Sequence, residues 1–447
     1  MSSVRYQSLA PLHSGQGSRA FLGLVLEDGA PPRPVVLIWA PQEIAQSPDL
    51  TAKLSKETAR ALVFEHPNIL RVYALAAQDG GLARVTEFAD GEPLRRVLEA
   101  SPRLPPPLAA LVAADAATGL HYAHMAGNDD GSPLVHGDIR PETLMVSYAG
   151  VTKVTGYGAL GVAPRERDGK RVRNRRAYSA PEQLLGGREA VNVQSDVFLL
   201  GLVLHECLSG KMPFKESADP DKAVLNRSLP PLPQDVPLKL DAVVRKATAK
   251  RAYDRYPSAL AFREALVEAV GTLPAHTSLE DFLAKHFPPE SEARLSRRRV
   301  IEAGIAEVMQ KAGVAPPVVA EFLAHGTVPA GALPAAWPAM PGQFTVRGDG
   351  AQASEGPASG SHAQVAAAPA TGSHAQAAAG PASGSHATAA SGPGTGSQAG
   401  PASGAHATLA SGPASGAYPQ AGASPASGAY PQAGASPASG PQVTLAS

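Results

Sequence analysis

The side chains able to do chemistry are few for a chain of 447 residues, and they fall in short motifs. The segment VHGDIRPETLMV at 135–146 sets His136, Asp138 and Arg140 at alternate positions beside Pro141. By type these are proton-transfer and anion-holding groups, although an aspartate in a loop also serves as a plain turn former. Asp196 opens an apolar run and can accept backbone amides there, since a buried carboxylate persists only when it is hydrogen-bonded. Seven basic residues among twelve at 165–176 read as a solvated loop, with docking of an acidic partner as the alternative. The single cysteine, Cys207, lies inside the apolar run 197–208 and reads as a buried thiol.

These groups must be placed by the elements around them. Apolar runs at 20–26, 35–39, 69–76 and 82–88, bounded by Gly, Pro and Asp, predict strands. The spacing of Leu54, Ala61 and Leu62 predicts a helix over 50–64. The chain thus opens with a small sheet carrying one helix. From Leu94 onward the pattern turns helical: an Ala/Leu-rich helix at 107–125, a helix apolar on every side at 197–208 and therefore central, further helices at 238–250 and 258–270, and two more over 278–311. Pro- and Ala-rich sequence at 314–350 reads as a linker.

Composition sets the outer limits. From 351 to 447 the chain is almost wholly Ala, Gly, Ser, Pro, Gln, His and Thr, with Glu355 as its only formal charge. Such a segment cannot bury enough apolar area to offset its backbone entropy and is expected to be disordered. Its histidines at 362, 374 and 386 and its tyrosines at 418 and 430 recur every twelve residues. Without Cys or acidic ligands nearby they read as a repeated spacer rather than a metal site. The 39 basic and 39 acidic residues balance, which argues against nucleic-acid or membrane binding by bulk charge. One cysteine permits no internal disulfide and fits a reducing compartment. With no secretory leader pattern and no apolar stretch of spanning length, a cytoplasmic location is expected.

The motif at 135–146 resembles the catalytic loop of the bacterial eukaryotic-like Ser/Thr protein kinases, whose pattern is H-R-D-L-K-P-x-N. His136, Asp138 and Pro141 fall in register. Other landmarks follow in order: EHPNILRVY at 65–73, with Glu57 nine residues before His66; SAPE at 179–182; DVFLLGLVLHECLSGKMPF at 196–214; and Arg255 in RAYDRYPSA. The resemblance runs from about residue 6 to 270. It implies an α+β, bilobal kinase-like fold: an N-lobe at 1–88, a C-lobe at 89–270, a helical extension at 271–313, the linker at 314–350 and the disordered tail at 351–447. His136, Asp196, Glu182 and Arg255 then take structural roles, the last two as a partly buried pair.

The resemblance also implies what is missing. Phosphoryl transfer in such kinases uses a glycine-rich loop, a lysine on the third strand and two magnesium ligands. Here LHSGQGSRAF at 12–21 keeps Gly15 and Gly17 but sets His13 and Ser18 where outer glycines belong, restricting backbone approach to phosphate. Ile38 stands at the lysine position, expected to be buried, which leaves Glu57 on the inward helix face without its partner unless Arg19 or Arg33 supplies one. Gly156 replaces the D-F-G aspartate in GYG, and Thr143 takes the other magnesium position, where a hydroxyl is a poor ligand for a hard cation. Asp138 remains as a vestigial base and Arg140 as a phosphate contact, while Gly137 replaces the arginine that would dock a phosphorylated segment. The backbone at Glu87 and Ala89 could still hold a purine.

Losing one preorganised electrostatic group costs about 10²–10³ in rate. Three such losses, even when not additive, bring a rate of about 1–100 s⁻¹ to well below about 10⁻² s⁻¹. The expectation is a degenerate kinase, a pseudokinase, needing no metal and no cofactor. It would act on other proteins, such as active Ser/Thr kinases or their substrates, as a regulator or scaffold. The alternatives are a slow, unorthodox kinase, ATP binding without magnesium, and lobes that merely present the tail. Ile38, Glu57, Asp138 and Gly156 are expected around one cleft.

Overall fold

Apolar residues alternating with a period of two build the first sheet. The computed structural model describes residues 4–12, 19–78, 81–162, 166–167, 170–171, 177–186, 190–339 and 343–346. Strands β1 (Val4–Pro11), β2 (Ala20–Glu27) and β3 (Arg33–Trp39) precede a short α1 (Gln42–Ala45) and the longer α2 (Pro48–Leu62), followed by β4 (Val72–Gln78) and β5 (Gly81–Glu87). One face of these strands, with Tyr6, Val25, Val35, Leu37, Ala74, Ala76, Ala83 and Val85, forms a common apolar core. The alternation turns Val36, Ile38, Arg84 and Thr86 to the other face. Across β3 and β5, Ile38 lies opposite Arg84 and Val36 opposite Thr86. Helix α2 starts at Ser47, whose hydroxyl accepts from the Leu50 amide, with Pro48 in its first turn.

The larger lobe follows: β6 (Gly91–Pro93), α3 (Leu94–Ala100), α4 (Pro106–Ala126), β7 (Leu144–Ser147), β8 (Thr152–Val154), the two-residue β9 (Glu166–Arg167) and β10 (Lys170–Arg171), α5 (Pro181–Gly186), α6 (Val193–Ser209), α7 (Pro220–Asn226), α8 (Leu238–Ala247) and α9 (Ala259–Val270). Helix α6 is buried from Ser195 to Leu208 on every side. Asn192 caps its start, and Gly210 at φ 72° ends it in a left-handed turn that glycine adopts without strain. Cys207 lies within it, 1 % exposed, and burial pushes its thiol pKa far up, so it is a packing residue.

The chain then returns to the small lobe through α10 (His276–His286), α11 (Glu292–Lys311), α12 (Pro316–His325) and β11 (Gln343–Val346). Ile305, Val308 and Met309 of α11 bury Leu24 and Leu26 of β2, and the Cα of Gly304 leaves room for Leu9. Trp337 is 2 % exposed, and its indole N–H donates to the carbonyls of Glu27 and Ala30 at 3.0 and 3.2 Å. Strand β11 pairs antiparallel with both β1 and β4, closing a barrel in the order β1-β11-β4-β5-β3-β2. The stretch 314–350, read from its Pro and Ala content as a linker, therefore holds a helix and the strand that closes the barrel. Proline begins α12 rather than interrupting it, because a first-turn proline loses no helical hydrogen bond. The tail at 351–447, with its repeats, lies outside the described residues. Among the described residues, no helix is long and apolar enough to cross a membrane.

Candidate functional site

The loop at 134–143 is organised from below by Asp196. Its two carboxylate oxygens accept the amides of His136 (2.9 Å) and Gly137 (2.6 Å), and His124 Nε2 lies 2.8 Å away. Burial acts to raise this carboxyl pKa, but the bonds and charges from His124, His136 and the Gly137 amide outweigh it and hold it low. His136 is buried, which lowers its pKa; Nδ1 accepts the Asp138 amide at 3.1 Å, and Nε2 donates to the Thr155 carbonyl at 2.7 Å. Those partners assign the neutral tautomer with its proton on Nε2.

Asp138 is not exposed, as a turn former would be: its side chain is 13 % accessible, 3.5 Å from Arg140 Nε. Arg140 also meets Glu142 at 3.1 Å, and Glu142 is held from the other side by Arg95 at 3.0 Å. The cation expected to face a phosphate is thus already between two carboxylates. The Thr143 hydroxyl accepts the Arg140 amide and lies 3.0 Å from the carbonyls of both Asp138 and Arg140. It works as a cap for the short turn at 141–143, with its proton and one lone pair engaged inside the loop.

The 156–162 turn carries the other magnesium position. Gly156 has φ 104°, a backbone conformation that favours glycine, and a Cβ there would make a tight contact, 3.2 Å from His136 Nε2. Tyr157 is buried edge-on between His136 and Phe64, at ring separations of 5.0 and 5.3 Å. Thr58 donates to the Gly158 carbonyl at 3.1 Å.

Several expectations change here. Glu57 is not unpaired: its carboxylate accepts the Gly161 amide at 2.7 Å. It stands at the edge of the buried stripe of Leu54, Thr58 and Ala61, half-buried and turned toward the 156–162 turn. Ile38 is half-buried rather than buried. Neither Arg19 nor Arg33 rescues Glu57, for Arg33 pairs with Glu27 at 3.5 Å and the charge near Glu57 is that of Arg84. Ile38 borders a cavity of about 160 Å³ with Arg19, Leu54, Arg84 and Val162. Glu57 borders another, of about 400 Å³, with Arg60, His136, Gly137 and Tyr157. Val162 packs with Ile44, Leu54, Leu75 and Leu82.

At the connection between lobes, the Glu87 carboxylate is held by Lys153 at 3.0 Å and by the Arg71 amide at 3.2 Å. Ala89 is half-buried beside it. Just beyond, Arg297 of α11 donates to the Gly91 carbonyl and to Glu92, at 3.0 and 2.8 Å. Glu182 accepts two bonds from Arg255, at 2.8 and 3.0 Å. Gly15, Gly17, His13 and Ser18 lie outside the described residues, as does the basic run at 165–176 except for β9 and β10. The sequence reading missed Arg84 and Arg297. A lone arginine inside the strand GLARVTE was a signal for the first; the second lay in an extension that carried no motif.

Gly156 offers no ligand, the Thr143 hydroxyl is occupied, Ile38 carries no charge, and Arg140 is neutralised.

Comparison with known proteins supplies the lineage. The chain is 34% identical over 315 residues to the tyrosine-protein kinase MasK of Myxococcus xanthus, covering 65% of this chain and 47% of that protein. It is 29% identical over 237 residues to the serine/threonine-protein kinase PknB of Mycobacterium leprae, covering 50% and 37%. The chain thus spans less than half the length of these relatives. The solved PknI kinase domain of Mycobacterium tuberculosis, as its C20A mutant, has 22% identity and a TM-score of 0.44, over 60% of this chain and 96% of that one. The protein kinase domain model matches residues 38–304, beginning at the isoleucine in the lysine position and ending within α11. With more than half of the sequence under that model and the landmark residues assembled as described, the chain belongs to the protein kinase domain family.

Proposed function

We propose that this chain is a catalytically silent kinase-family member, a pseudokinase, that acts in the cytoplasm as a protein-binding regulator or scaffold in Ser/Thr kinase signalling. The observation that carries this reading is the state of the two metal positions: glycine at 156, and a threonine at 143 whose hydroxyl is consumed within its own loop. Such groups cannot neutralise the charge that moves in phosphoryl transfer. The partners would be other proteins, active kinases or their substrates among them. A slow kinase is the second reading, favoured by Asp138 being kept in an ordered loop 3.5 Å from Arg140.

Calorimetry with ATP, in magnesium and in chelator, separates the two. Equal binding or none is expected, and a tenfold gain with magnesium would sink the silent reading. Radiolabelled ATP should leave the purified protein unlabelled, and Asp138→Asn should change nothing. Labelling that vanishes in Asp138→Asn would promote the slow kinase.

A further inference from the structure

The face of the sheet that should present a lysine presents an arginine instead, one strand over. Arg84 stands directly opposite Ile38 in the β3/β5 register and is 9 % exposed. Its Nη1 donates to the carbonyls of Gly156 at 3.1 Å and Tyr157 at 2.8 Å, and its Cδ lies 3.4 Å from where a Gly158 Cβ would be. A buried guanidinium is tolerated only when its donors and charge are met. Here two carbonyls and the nearby Glu57 charge meet them, although Nε finds no partner.

We infer that Arg84 is an internal cation that stands in for the absent strand lysine, bracing the 156–157 corner from within so that the site is ordered without nucleotide. This rests on the silent reading and says how the silent site is kept in shape. Arg84 is a positioning residue: it touches backbone, not substrate. A lysine at 38 would put a second cation on the same face, with Cβ atoms about 4.5–5.5 Å apart across the strands. The two charges would repel and compete for Glu57. The present arrangement therefore excludes the usual lysine as well as replacing it.

The test uses the full chain. In Arg84→Met, amide hydrogen exchange at 156–162 should quicken at least tenfold while that of α6 stays unchanged, and Arg84→Lys should restore part of the protection. If Arg84→Met does not fold, Arg84→Gln and Arg84→Lys are read at the same amides. A fluorescent ATP analogue gives a readout that loose packing alone would not move: Ile38→Lys should bind it no better than the parent, and Ile38→Lys with Arg84→Met at least tenfold more tightly than Ile38→Lys. Unchanged exchange at 156–162, or equal affinity of the single and double variants, would overturn the inference. Magnesium-dependent ATP binding by the parent would instead count against the silent reading, leaving the exchange result to judge Arg84 separately.

Discussion

Arg255 shows how much of this molecule rests on single charged groups. Its side chain is wholly buried, and besides Glu182 it donates to the carbonyls of Ala249, Gln194 and Lys250, at 2.8, 3.0 and 3.0 Å, with its guanidinium 4.6 Å from the Phe198 ring. Burial tends to raise the Glu182 pKa, but the bonds from Arg255 and Ser195 prevail and hold it below its ordinary 4.5. A depressed carboxylate contributes stability above its unfolded pKa and loses it as pH falls through the folded one. Arg255→Met should therefore cost about 3–5 kcal/mol at pH 7, the penalty of an uncompensated buried charge. As pH falls below 4.5 and through the depressed folded pKa, Glu182 becomes protonated in the folded state as well, and the difference from the parent should shrink. Urea unfolding of both proteins at pH 7 and pH 4 checks the size and the sign. A difference that stayed constant would place the effect in packing.

Among the elements, those with strong periodicity were legible and those built by distant partners were not. The all-apolar α6 and the Ala-rich α4 were readable because burial writes itself into every position. Strand β1, with Arg5, Gln7 and Ser8 among its residues, and the four-residue β11 gave no such signal; β1 is held by β2 and β11, and β11 by β1 and β4. The partner of Glu57 was hidden for a related reason: helical spacing turned it inward, but the amide it meets there, that of Gly161, lies more than a hundred positions away. The 315–339 segment was unreadable until Trp337 was seen to fix it, with its amide donating to Asp28 at 3.1 Å and its carbonyl accepting from Arg5. Trp337→Ala should cost about 3–5 kcal/mol, as buried tryptophans do, and should weaken amide protection in β1 and β4 together. Loss of protection confined to the turn at 27–30 would show that the tryptophan anchors only that turn.

At the scale of the whole molecule, the extension ties the lobes to each other beside their connection. Helix α11 begins against the large lobe, where Arg294 stacks 3.7 Å from the Tyr148 ring, passes Glu92 through Arg297, and ends on β2. Removing 292–346 should uncover Leu24 and Leu26 and raise the binding of an apolar dye severalfold in the absence of denaturant, while a control lacking only 351–447 behaves as the parent. Equal dye binding in both would mean that other residues cover those leucines. The pairing of Arg5 with Thr345 has a consequence for synthesis. The two strands leave the ribosome roughly 340 residues apart, and at about 5–20 residues per second the first waits some tens of seconds for the second. Throughout that time β1 and β4 present unpaired edges, the kind of surface that recruits other chains. The small lobe of this protein, although made first, is completed last, and its nascent form is a natural client for whatever shields exposed strands at the ribosome.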